Sequence, residues 1–91
     1  MGGTLSRLDA AIASRVHNPT CGYTSRLLRD RSARLRKLGE ESAGLLLALT
    51  SESDESVVTE AADVLYVVAV ALRARGIPLS EVVAELRRRE S

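Results

Sequence analysis

Glu60 and Asp63 are the residues of this 91-residue chain best placed to do chemistry. They stand three apart, so on a helix they share a face. From Ser56 to Leu72 they are the only charged residues, set among Val57, Val58, Ala61, Ala62, Val64, Leu65, Val67, Val68, Ala69 and Val70. A helix that is apolar all round is ordinarily buried. The pattern therefore predicts two carboxylates side by side in a core, with no Lys or Arg within a turn or two of either. Burying unpaired carboxylates costs several kcal/mol each, so something must neutralise them. One solution is a salt bridge from the basic stretch that contains Arg26, Arg29, Arg31, Arg34, Arg36 and Lys37. The other is a divalent cation such as Mg2+, which prefers carboxylate oxygen. Spacing alone leaves both open.

Two further acids, Glu40 and Glu41, follow Lys37-Leu38-Gly39. Glu41 falls about 60° around a helix from Leu38, at the edge of an apolar stripe, and Glu40 falls further towards solvent. Glu41 is thus placed to face Glu60 and Asp63 across a helix pair, the way carboxylate metal sites are assembled in helical bundles. The plainer reading is a solvated face in which Lys37 and Glu41 form an i,i+4 ion pair. His17, the single histidine, sits beside Asn18-Pro19 and reads as a loop residue, since a metal site needs several ligands. Cys21 has no histidine at a recognisable catalytic spacing and reads as inert.

The elements that must position these residues are helical. A first segment runs from Thr4 to Arg15, with Leu5, Leu8, Ile12 and Val16 at helical spacing and Thr4 as candidate N-cap. Pro19 and Gly22 then break the pattern. A long second segment, Ser25 to Leu49 with Thr24 as candidate N-cap, carries Leu28, Leu35, Leu38, Leu45 and Leu49 on one stripe. Gly39 within it marks close packing, a kink or the start of a separate helix. After a polar connection from Thr50 to Asp54, a third segment runs from Glu55 to Arg75 and is stopped by Gly76-Ile77-Pro78. Ser80-Glu81 opens a short last segment that ends near Arg89. No strand-period alternation appears. The fold class expected is all-α, with four to five helices packed as a bundle.

Composition agrees. Hydrophobic residues make up 45% of the chain and aromatic residues only 2%, so the core is Leu, Val and Ala, which suits helices. The length allows one domain, spanning residues 1–91, and a chain this short gains from oligomerisation. Thirteen basic and 12 acidic residues give a net charge of +1, which argues against a nucleic-acid or membrane-surface partner. The acids at Glu60 and Asp63 count further against a DNA-binding helix-turn-helix built on the arginine-rich stretch. The N-terminus shows no basic stretch followed by an apolar run, and no apolar run reaches membrane-spanning length. A cytoplasmic location is expected.

The ordered string Tyr23-Thr24, Leu27-Leu28, Lys37-Leu38-Gly39-Glu40-Glu41, Glu60-Ala61-Ala62-Asp63-Val64-Leu65-Tyr66 and Gly76-Ile77-Pro78-Leu79-Ser80, ending with Leu86-Arg87-Arg88-Arg89, resembles the phosphoribosyl-ATP pyrophosphatases. These belong to the all-α, MazG-type nucleotide pyrophosphohydrolases. The resemblance covers Leu5 to Arg89. It implies a Mg2+-dependent, homodimeric hydrolase of histidine biosynthesis that splits the α–β phosphoanhydride of phosphoribosyl-ATP into phosphoribosyl-AMP and pyrophosphate. Carried onto this chain, it implies metal ligands at Glu40, Glu41, Glu60 and Asp63, with catalysis resting on Glu41, Glu60 and Asp63. Arg34, Arg36 and Lys37 are the candidate clamps for phosphate oxygens.

The chain departs from that pattern at three positions. Gly44 stands where the family has a third glutamate, Val67 where it usually has a histidine, and Gly22 where it has a serine. The alternative these departures raise is a nucleotide-binding relative that is non-catalytic or has a shifted substrate.

Overall fold

The computed structural model describes residues 3–51 and 53–90. Glu52, within the polar connection read from Thr50 to Asp54, lies outside the described residues. Five helices follow one another: α1 (Gly3–His17), α2 (Tyr23–Arg29), α3 (Arg31–Ser51), α4 (Asp54–Ala74) and α5 (Leu79–Arg88). No strand occurs among the described residues, as the all-α reading expects.

The main difference from expectation is a break in the long second segment, at Asp30 rather than at Gly39. Asp30 adopts an extended conformation, φ −109° and ψ 102°, between α2 and α3. Its carboxylate accepts a hydrogen bond from the Ala33 backbone N–H at 3.0 Å, satisfying one of the donors that every helix start leaves unpaired. Arg34 serves the other side of the break. Its guanidinium donates to the Leu27 and Leu28 carbonyls at 3.3 and 3.2 Å, two acceptors that the end of α2 leaves without intrahelical partners. The Leu stripe drawn through this break does not stay buried: Leu35 is 50% and Leu49 63% exposed.

Other helix ends also differ from the sequence reading. Thr24 does not cap α2. Gly22 holds the N-cap position without a side-chain bond, and the Thr24 hydroxyl instead bonds the Tyr66 hydroxyl. Thr4 lies inside α1 and accepts a bond from Arg7. α1 extends through His17, so His17 closes a helix rather than sitting in a loop. α5 begins one residue before Ser80, behind Pro78. α4 starts on a cap that the sequence reading did not name: Ser53 accepts from the Ser56 N–H at 3.2 Å. Gly76 ends it at φ +74°, with the Ile77 N–H reaching the Leu72 carbonyl at 3.0 Å. That left-handed turn suits glycine because it has no Cβ to clash.

The core gathers Ile12, Leu27, Ala33, Ala69 and Val70, with Leu8, Leu28 and Tyr66 against it. α4 therefore serves as the central post, touched by every other helix. It is not enclosed all round, as its sequence suggested: Val58 is 68% and Leu65 56% exposed in the single chain. The deeply buried carboxylate belongs to α1. Asp9, 6% exposed, accepts from Arg73 at 2.8 Å and from the Leu79 N–H at 3.1 Å, tying α1, α4 and α5 together.

Candidate active site

α3 and α4 are joined by a short connection and pack along each other. Gly44 lies against Glu60, while Glu41 lies against Asp63 further along, so the two helices run antiparallel. This register brings one carboxylate oxygen from each of Glu41, Glu60 and Asp63 within 4.8 Å of one another. Glu41 and Glu60 are half-buried, and Asp63 is exposed. The carboxylates thus sit at the rim of the helix pair, shallower than an apolar α4 had suggested.

Unit charges at this spacing repel by about 3 kcal/mol per pair at the effective dielectric of a protein surface. One cation opposes them among the described residues: the Lys37 ammonium, 2.9 Å from Glu41. Its pKa is raised because Glu41 accepts its hydrogen bond and stabilises its charge. It also lies 5.9 Å from the centre of the Tyr23 ring. Among the described residues no arginine forms an ion pair with any of the three acids. The donor set is therefore three hard oxygens with negative charge in excess, which fits a hard divalent cation.

Not every candidate comes to this place. Glu40 is exposed on the neighbouring face of α3, with Arg36 Nε 3.9 Å from its carboxylate. Arg34 is engaged at the α2 carbonyls. Lys37 lines two adjoining hollows. One, of about 200 Å³, is bounded by Tyr23, Glu41, Asp63, Tyr66 and Val67. The other, of about 230 Å³, is bounded by Tyr23, Arg26, Arg36 and Glu40. An acidic and a basic hollow thus meet at Lys37 and Tyr23.

Sequence reasoning assigned no role to Tyr23 or Tyr66. A signal was present for the tyrosines. They are the only aromatic residues in the chain, and both line the acidic hollow. Tyr66 packs its ring against the core and bonds Thr24 through its hydroxyl, anchoring α2 to α4. Tyr66→Phe is expected to lower stability by about 1 kcal/mol, the usual net worth of such a bond, as read from the urea midpoint. An unchanged midpoint would show that the bond contributes nothing.

The departures noted in the sequence fall on or beside this place. Val67, 1% exposed, forms part of the wall of the acidic hollow. Gly22 occupies the N-cap of α2, where a serine would offer a capping hydroxyl. Gly44 directly adjoins the acids: a Cβ there would lie 2.7 Å from Glu60 Oε2.

Comparison with known proteins agrees with the string and the geometry. The family model described as Phosphoribosyl-ATP pyrophosphohydrolase matches residues 5–90. The phosphoribosyl-ATP pyrophosphatase of Erythrobacter litoralis is 42% identical over 89 residues, covering 96% of this chain and 86% of that protein. That of Ignicoccus hospitalis is 42% identical over 91 residues, covering 98% and 89%. That of Metallosphaera sedula is 41% identical over 91 residues, covering 98% of both. An all-helical chain with three carboxylates converging across α3 and α4, matched over nearly its whole length, belongs to the phosphoribosyl-ATP pyrophosphohydrolase family.

Proposed function

We propose that this chain hydrolyses the α–β phosphoanhydride of phosphoribosyl-ATP, giving phosphoribosyl-AMP and pyrophosphate, with Mg2+ held by Glu41, Glu60 and Asp63. The observation that carries this reading is the convergence of those three carboxylates within 4.8 Å, opposed by a single ammonium. Bound there, Mg2+ would offset the charge of the phosphate chain and orient a water for in-line attack. The chain's own residues supply the rest. A carboxylate at the rim accepts the proton the water gives up as its oxygen bonds to phosphorus and the bridging P–O bond breaks. Lys37 and Arg36, which border the basic hollow, hold phosphate oxygens by charge-assisted hydrogen bonds. Tyr23 and Tyr66 wall the acidic hollow and limit the solvent reaching it.

The direct test incubates the purified protein with phosphoribosyl-ATP and Mg2+ and measures pyrophosphate. Release that depends on Mg2+ is expected. Release no faster than that of a Glu60→Gln control would remove the reading.

The active form is proposed to be a homodimer. Leu46 (64% exposed), Leu47 and Leu49 on α3, with Val58 and Leu65 on α4, leave the α3–α4 pair with apolar side chains facing solvent. A second copy of the chain would cover them. Sedimentation is expected to give about twice the 9.8 kDa chain mass. Leu46→Glu together with Val58→Glu should shift the protein to the monomer, and a monomeric parent chain would contradict this assignment. The same reading places the protein in the cytoplasm, within histidine biosynthesis. No helix among the described residues is long and apolar enough to cross a membrane.

A further inference from the structure

We infer that Gly44 is a positioning residue: the side chain it lacks leaves the space in which the Glu60 carboxylate closes against α3, drawing the three acids onto one divalent cation. This rests on the metal-site reading above. The geometry is specific. A Cβ on residue 44 would stand 2.7 Å from Glu60 Oε2, closer than non-bonded carbon and oxygen tolerate, and 3.4 Å from its Cδ, in contact. The Glu60 carboxylate therefore lies where a side chain at position 44 would begin. In the family pattern a glutamate stands there and brings its own carboxylate. In this chain the neighbouring helix supplies the carboxylate that fills that space. Three carboxylates and the Lys37 ammonium leave two negative charges, which one divalent cation offsets.

The obstruction that a Cβ would meet is the end of a flexible side chain rather than backbone. Adding it moves Glu60 without unfolding the helix pair, so metal affinity and stability should separate. α3 contains its own control. Gly39 is exposed on the same helix, and a Cβ there meets nothing within 4 Å. Both Gly→Ala changes raise helix propensity alike, and only one touches Glu60.

The test is calorimetric titration of the full chain with Mn2+ in the absence of nucleotide, alongside thermal melting. The parent chain and Gly39→Ala should bind one Mn2+ per chain with the same affinity, and Gly39→Ala should melt higher. Gly44→Ala should melt no lower than the parent yet bind Mn2+ at least about tenfold more weakly, the usual loss when a metal ligand's support is disturbed. Gly44→Glu displaces Glu60 but restores a carboxylate, so it should recover affinity over Gly44→Ala. Mn2+ affinity within twofold of the parent in Gly44→Ala, or an equal loss in Gly39→Ala, would overturn the role of Gly44. Absence of Mn2+ binding by the parent chain would overturn the metal site itself, and this inference with it.

Discussion

A Glu60→Gln chain is expected to release pyrophosphate from phosphoribosyl-ATP about 100- to 1,000-fold more slowly than the parent, a barrier increase of about 3–4 kcal/mol. The substitution preserves shape and removes one charge. Glu60 is half-buried and forms no ion pair or side-chain hydrogen bond among the described residues, so little folding energy is at stake. The lost charge acts on both sides of the reaction. It leaves the proposed cation held by two carboxylates, one of which already faces Lys37. It also lets solvent take the cation more readily, because a neutral amide is a poorer ligand than a carboxylate for a hard ion. Raising Mg2+ should therefore recover part of the rate, and Asp63→Asn should behave in the same way. The contrast is Glu40→Gln. Glu40 faces Arg36 across 3.9 Å on an exposed surface, where ion pairs are worth little, and its rate should stay within about threefold of the parent. Equal losses at Glu40 and Glu60 would contradict the three-carboxylate site and return the ligand set to four acids. A Glu60→Gln rate within tenfold of the parent, at low Mg2+, would take the cation away from this cluster.

The second large effect concerns stability. Asp9→Ala is expected to cost about 3 kcal/mol, measured by urea unfolding, because it strands a partly buried guanidinium. Asp9 Oδ2 holds Arg73 Nη2 and the first N–H of α5. The two side chains are 9% and 21% exposed, so water can compensate only part of the loss. Domains of this size are stable by about 5–15 kcal/mol in total, and the variant should melt well below the parent. The pair is also imperfectly satisfied: Asp9 Oδ1 and Arg73 Nε are buried without hydrogen-bond partners among the described residues. Its desolvation is thus only partly repaid, and replacing both members with apolar groups removes that penalty along with the attraction. Asp9→Leu combined with Arg73→Met should therefore lose clearly less than the sum of Asp9→Leu and Arg73→Met alone. Strict additivity would show that the two do not interact, and a loss below 1 kcal/mol for Asp9→Ala would show that the clasp carries little.

These two expectations rest on carboxylates that differ in how visible they are in the sequence. The pair Glu60–Asp63 is legible because a helix repeats every 3.6 residues, so a separation of three is already a statement about position. The Gly76 stop likewise acts within a turn or two of chain, and the structure has it where the residues indicated. The break at Asp30 was equally local, since Asp30 caps its own helix through Ala33. The leucine stripe on either side of it hides the break, and Gly39 gives a false signal of one.

What lies between helices was not available from the chain alone. Asp9 and Arg73 are 64 residues apart, and nothing in either neighbourhood marks one as the partner of the other. The depth of Glu60 and Asp63 is not encoded locally, for the same reason. The composition of α4 says that it prefers burial, but which side is covered depends on how many helices pack around it, and Val58 and Leu65 remain uncovered in one chain. By its short-range periodicity and its ordered string of residues, the sequence determined the all-helical class, the stop at Gly76, the shared face of Glu60 and Asp63, and the family. The tertiary structure alone decided that α3 runs antiparallel to α4 in the register that sets Glu41 beside them and Gly44 against Glu60. Register between two helices is chosen by the packing of whole faces, a sum of many weak contacts that no single residue pair in the sequence encodes.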